Sequence, residues 1–146
     1  MHGTLTTLRP LGRQHTLNPD ETTQNQVEFH VRCFQKSLLD FCTRHAILLQ
    51  AYAPLGSPLG VDANTQDATV AALAARLDKT PAQILLRWAV QHCGAAVVGS
   101  GNAAHMKSNL EVLDFELSRD DMTALDGVSR HGRLCRRFCW DPSGVC

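Results

Sequence analysis

Apolar positions along this chain alternate between strand-like and helix-like spacing. Asn25 to Phe29 is a short strand candidate, and Phe34, Leu38, Phe41 and Cys42 then recur at helical intervals. Ile47 to Tyr52 is a nearly continuous apolar run, as expected of a strand covered on both faces; Pro54, Gly56 and Pro58 end it. Val70, Leu73, Ala74 and Leu77 form an i, i+3, i+4, i+7 stripe and predict an amphipathic helix. Thr80-Pro81-Ala82-Gln83 reads as a helix start: Thr80 caps, Pro81 suits the first turn, and Gln83 can complete a capping box. The helix that follows carries Ile84, Leu85 and Trp88 and stops at Gly94. Ala95 to Val98 predicts another buried strand. Asn102 starts a helix with Met106, Leu110 and Leu113 on one face, and Ser118 with Asp121 starts another carrying Met122 and Leu125. The resulting order, β-α-β-α-α-β-α-α, predicts an α/β fold with parallel strands joined by right-handed crossovers.

The first 24 residues are polar, lack periodicity and predict a loop or poorly ordered segment. Residues 25–130 form the expected folded unit and 131–146 a tail. With 146 residues, 44% of them hydrophobic and 19% charged, one soluble globular domain is expected. Fourteen basic residues balance fourteen acidic ones, which argues against a nucleic-acid or anionic-membrane partner. No apolar run approaches the roughly 18 residues of a membrane span, and no secretory h-region opens the chain. Arg9 and Arg13 without nearby acids resemble a transit peptide in composition, but Pro10 and Gly12 interrupt any amphipathic helix, so a cytoplasmic location is the expectation. The six cysteines then read as reduced thiols. His131, Cys135, Cys139 and Cys146 cluster in the tail, but their spacing matches no common zinc pattern, and no metal is expected.

Chemistry concentrates where strands end. Ligands of parallel α/β proteins sit at the carboxyl ends of strands. Here those ends are Gln26 to His30, Ala51-Tyr52-Ala53-Pro54-Leu55-Gly56-Ser57-Pro58, and Val97-Val98-Gly99-Ser100-Gly101-Asn102. The last leads directly into a helix N-terminus, whose backbone N–H groups suit a phosphate.

Asn25-Gln26-Val27-Glu28-Phe29-His30, the Ala-Tyr-Ala-Pro-Leu-Gly-Ser stretch from Ala51, Ser108-Asn109-Leu110-Glu111-Val112, Phe115-Glu116-Leu117-Ser118 and Phe138-Cys139-Trp140-Asp141-Pro142 occur together, in order. Over about residues 25–141 the chain thereby resembles the aldo-keto reductases. The resemblance implies part of a TIM (β/α)8 barrel, with the three strands corresponding to its sixth, seventh and eighth. It also implies NADP as cofactor, bound weakly, with NAD possible. Gln26 matches a glutamine that bonds the nicotinamide carboxamide, and Tyr52 an aromatic that stacks on the nicotinamide ring. Leu55 and Ser57 match residues around the pyrophosphate; Ser100 and Asn109 match contacts to the adenosine and its 2′-phosphate. An amide can pair bidentately with an amide, and a Tyr face can cover one side of a flat ring.

Departures from the family pattern shape the functional expectation. Gly99 stands where the family usually has a lysine, and His105 where it has an arginine, so the usual charges on the 2′-phosphate are missing. Val31-Arg32 replaces a Pro-Tyr, and the family's fifth-strand Ser-Asn pair has no match. Nothing in residues 1–24 matches the segments that carry the catalytic Asp, Tyr, Lys and His, so no catalytic residue is assigned. The expected function is NAD(P)H-dependent reduction of an aldehyde or ketone, with a small carbonyl substrate if the barrel is completed. The alternatives are a non-catalytic cofactor- or partner-binding subunit and a truncated product. Read as an open three-stranded piece, the chain is expected to expose its strand edges and the inner-wall residues Ile47, Leu49 and Ala51, and to be molten or aggregating alone.

Overall fold

The computed structural model describes residues 23–131 together with Phe138 and Cys139. Nearly all of the N-terminal segment, and Cys135, Cys146 and Trp140 of the tail, lie outside the described residues. The elements are β1 (Gln24–Glu28), α1 (Lys36–Arg44), β2 (Leu48–Tyr52), α2 (Ser57–Thr65), α3 (Ala68–Leu77), α4 (Pro81–Cys93), β3 (Ala95–Val97), α5 (Ala103–Leu110), a 3-10 turn (Glu111–Leu113) and α6 (Arg119–His131). The strands form one parallel sheet in the order β1-β2-β3. Gln26 pairs with Gln50, Glu28 with Tyr52, and Tyr52 with Val97.

Local sequence accounts for most boundaries. The Thr80 hydroxyl accepts the Gln83 N–H at 3.2 Å while the Gln83 side chain accepts the Thr80 N–H at 3.0 Å, the reciprocal box the sequence predicts. Gly94, at φ +79°, ends α4 in a left-handed cap that a Cβ would oppose. Ser118 and Asp121 close a second box at the start of α6. Helix α2 has no counterpart in the apolar pattern. It starts from Gly56 in the left-handed region at φ +97°, takes Pro58 in its first turn, and is tied back by Asn64 Nδ2 donating to the Leu55 carbonyl at 3.0 Å. These are turn chemistry and tertiary contact, with no amphipathic stripe to announce them.

The core lies on one side of the sheet. Phe29, Leu49, Ala51 and Ala96 meet Val70, Leu73, Ile84, Leu85, Trp88 and Leu125 from the helices. Phe29 stacks on Trp88 with ring centroids 5.0 Å apart, and the indole N–H donates to Asp126 at 2.8 Å. Helix α4 holds the connection between β3 and α6: Arg87 donates to the Val112 carbonyl, and Gln91 exchanges two hydrogen bonds with the Leu117 backbone.

Four expectations are corrected by the structure. Leu49 and Ala51, expected on an exposed inner wall, are 2% and 0% exposed beneath the helices. Because side chains alternate along a strand, the opposite face carries Gln24, Gln26 and Glu28 of β1 beside Leu48, Gln50 and Tyr52 of β2, so it is largely polar. Strand β2 is therefore covered by helices on one face, with Gln50 marking the other. Leu110 and Leu113, expected on a buried face, are exposed; the 3-10 turn after Leu110 rotates the chain and buries Val112 instead. Cys33, expected as a thiol, is disulfide-bonded, a pairing that spacing along the chain does not reveal.

Candidate functional site at the strand ends

The polar face of the sheet leads to its carboxyl end, where the residues singled out in the sequence gather. Gln26 is exposed in mid-β1, on the same face as Tyr52, which is half-buried at the end of β2. The loop after Tyr52 is conformationally unusual. Ala53 lies at φ +49°, Gly56 at +97° and Ser57 at +62°, and the Gly56 N–H closes a turn onto the Ala53 carbonyl at 2.7 Å. Left-handed conformations at non-glycine residues are costly and collect at functional sites. Gly56 is required twice over, by its φ and because a Cβ there would collide with the Asn64 amide. Ser57 is half-buried at the start of α2, whereas the Leu55 side chain packs into the core and offers the site its backbone.

Ser100 and Asn109 belong to the β3 side. The Ser100 hydroxyl accepts the Asn102 N–H at 3.1 Å, and Asn102 in turn accepts from the N–H groups of Ala104 at 2.8 Å and His105 at 3.4 Å. Two of the N–H groups at the α5 N-terminus are thus already held by the cap, which qualifies the expectation of an open phosphate site there. His105 is exposed in the first turn of α5 and Asn109 half-buried in its last. The topology therefore places Tyr52 and Ser57 at and just after the end of β2, Gln26 in the middle of the neighbouring β1, Ser100 after β3 and Asn109 in the last turn of α5.

One constellation escaped the sequence reading. Glu28 is 1% exposed and His30 fully buried, and the two share a hydrogen bond of 3.1 Å. The side-chain partner of His30 is Glu28, and its Nδ1 has no partner. Burial lowers the His30 pKa against the opposing pull of Glu28, so the neutral ring donates from Nε2 and the contact is a hydrogen bond to a carboxylate. The same carboxylate accepts the backbone N–H of Phe138 at 2.6 Å and of Cys139 at 3.2 Å. The Phe138 ring lies 5.3 Å from the His30 ring and fills the space left by Gly60, where a Cβ would collide with it. Burial first, then the Glu28 charge, raises the pKa of the Cys139 thiol. The alternation of Gln26, Glu28 and His30 on one strand face was the available signal. The tail contact, more than a hundred residues away in sequence, had none.

Among the described residues no group of three or more His, Cys, Asp or Glu could hold a metal ion, and no helix is long and apolar enough to cross a membrane.

Comparison with known proteins agrees with this geometry. The aldo/keto reductase family profile matches residues 13–130, beginning before the resemblance visible at residue 25. Prostaglandin F synthase 2 of Bos taurus is 40% identical over 116 residues, which cover 75% of this chain and 36% of the relative. An aldo-keto reductase of Mycolicibacterium vanbaalenii is 40% identical over 110 residues, covering 75% of this chain and 38% of that one. The chain thus spans less than half the length of these relatives. Among solved structures, that of the Gox0644 D53A mutant in complex with NADPH superposes with a TM-score of 0.74 at 29% identity, over 85% of this chain and 43% of that one. An aldo-keto reductase from a deep-sea metagenome library, MGS-M4, gives 0.71 at 31% identity, over 81% and 43% of the two chains. A parallel sheet with its polar strand ends, a profile match over most of the sequence and solved relatives of the same fold agree: this chain belongs to the aldo/keto reductase family.

Proposed function

We propose that this chain supplies the sixth to eighth strands of an aldo-keto reductase barrel, and with them much of the seat for NAD(P)H in the reduction of a small aldehyde or ketone. The observation that carries this reading is the left-handed loop Ala53–Ser57 at the end of the central strand. It turns a strained backbone and a hydroxyl toward the place where parallel α/β folds hold phosphates.

The residues present fit a nicotinamide dinucleotide on this face. Gln26 would pair its exposed amide with the carboxamide, and the half-buried Tyr52 ring would cover one side of the nicotinamide. Ser57 and the Leu55 backbone would hold the pyrophosphate, and Ser100 and Asn109 the adenosine end. The bound dinucleotide supplies the hydride. The residues of this chain orient it and shield one ring face, and none of them matches the family's proton-donating tyrosine. An acid within about 3 Å of the carbonyl oxygen is needed for turnover, so reduction requires a proton donor in addition to these residues.

Cofactor preference follows from two positions. Gly99 has no charge and His105 is exposed on α5, where the family usually has lysine and arginine. Losing two charge-assisted contacts of about 1.5–3 kcal/mol each weakens 2′-phosphate recognition roughly a hundredfold to ten-thousandfold. Titration by calorimetry or by the nicotinamide's own fluorescence is the suitable assay, because Trp88 is buried beneath the helices and does not face the site. NADPH and NADH should bind with similar, weak affinities, and Gln26→Ala and Tyr52→Ala should weaken both. Sub-micromolar NADPH binding with strong preference over NADH would refute this reading.

A further inference from the structure

We propose that Asn64 and Arg32 are positioning residues for the dinucleotide: together they hold the Ala53–Ser57 loop in the form that receives its pyrophosphate. The proposal rests on the cofactor reading above and adds to that site two residues that act through the loop without touching the ligand.

The loop needs support from outside itself. Ala53 and Ser57 are non-glycine residues in the left-handed region, and the Gly56 N–H closes the turn on the Ala53 carbonyl. Residues with side chains persist in such backbone when their surroundings over-determine it. Asn64, fully buried in the last turn of α2, supplies those surroundings. Its Nδ2 donates to the Leu55 carbonyl at 3.0 Å, in the middle of the loop, and its amide fills the space that a Cβ on Gly56 would need. Asn64 Oδ1 has no partner among the described residues, so the side chain's polar attachment is the tie to Leu55. Helix α2, which carries Asn64, has no side-chain cap at its start. Arg32, in the segment after β1, holds the other end. Its Nε and Nη2 donate to the Ala63 carbonyl at 3.2 and 3.0 Å, and Nη2 also pairs with Asp67 at 2.9 Å. Asp67 in turn caps α3 by accepting the Thr69 N–H at 3.0 Å. A single rigid fork of donors thus fixes the residue next to Asn64 together with the start of the following helix. Arg32 stands in the place of the family's usual tyrosine, which carries one donor and could not make three such contacts. The clamp runs from the exit of β1 through Ala63 and Asn64 to Leu55 after β2.

A loop released from the clamp binds more weakly, in proportion to the fraction of molecules that keep the receptive form. Asn64→Leu removes the donor at nearly constant shape, and Arg32→Lys keeps the charge but loses the fork. Each should weaken NADPH and NADH binding by the same factor, about tenfold or more, because the pyrophosphate is common to both. The double variant Asn64→Leu/Arg32→Lys should match Asn64→Leu, since the two residues act in series on one loop. Amide hydrogen exchange separates positioning from folding. The Gly56 amide should exchange about tenfold faster or more in each variant, while the Leu85 and Trp88 amides of α4 keep their protection. Binding unchanged in the variants, losses that multiply in the double variant, or protection lost equally from Gly56 and α4 would overturn the positioning role and leave the cofactor reading intact. An unmodified chain that binds neither nucleotide would overturn the cofactor reading and this role with it.

Discussion

The sidedness of the sheet can be tested by paired truncations at adjacent positions. Leu48 and Leu49 are neighbours in β2 with the same side chain, and alternation sends them to opposite faces. Leu49 is 2% exposed in the cluster with Val70, Ile84 and Trp88, whereas Leu48 is half-buried on the polar face with Gln50. Truncating a buried leucine to alanine costs the transfer of its methyl groups plus the cavity left behind, about 2–5 kcal/mol. Leu49→Ala should therefore remove a large part of a net stability of roughly 5–15 kcal/mol. Leu48→Ala, with its side chain partly in water and little cavity to leave, should cost about 1 kcal/mol or less. Urea denaturation followed by far-ultraviolet dichroism and by Trp88 emission gives both values, because that indole is fully buried and reports loss of the core. Equal costs at the two positions, or a larger one at Leu48, would refute the assignment of faces. The outcome also bears on solubility: a sheet whose open face carries Gln24, Gln26 and Gln50 exposes far less apolar surface than one turned the other way.

Two further outcomes follow from individual side chains. Burial lowers the pKa of His30 below its ordinary 6.5, so on acidification the unfolded chain takes up that proton before the folded one does. Stability from this residue is complete above about pH 6.5 and is lost as pH falls toward the lowered value, at no more than about 1.4 kcal/mol per pH unit. His30→Gln should flatten urea midpoints measured between pH 7 and 5.5; an unchanged slope would exclude His30 as its source. Cys33 is in a disulfide while Cys42, Cys93 and Cys139 are free. Of six cysteines, four thiols should therefore react with an aromatic disulfide reagent in denaturant and six after reduction, and six before reduction would show that the bond is not formed.

The sequence by itself determined the elements whose causes are local. The Thr80 and Ser118 boxes, the Gly94 stop and the stripe of Val70, Leu73 and Ala74 depend on neighbours within a few residues, so the helices are legible from spacing alone. Five short motifs in order also carried the family, which needed no contact between them. Tertiary structure decided what depends on which surfaces meet. Ile47 to Tyr52 looks uniformly apolar in one dimension, and only the docking of α3 and α4 selects Leu49 and Ala51 as the buried side. Helix α2 forms because Gly56, Pro58 and the Asn64 tie permit it, without a periodic stripe. The seat of Phe138 and Cys139 on Glu28 joins positions at opposite ends of the chain. A buried carboxylate needs partners, but its own neighbours in sequence do not say which residues supply them.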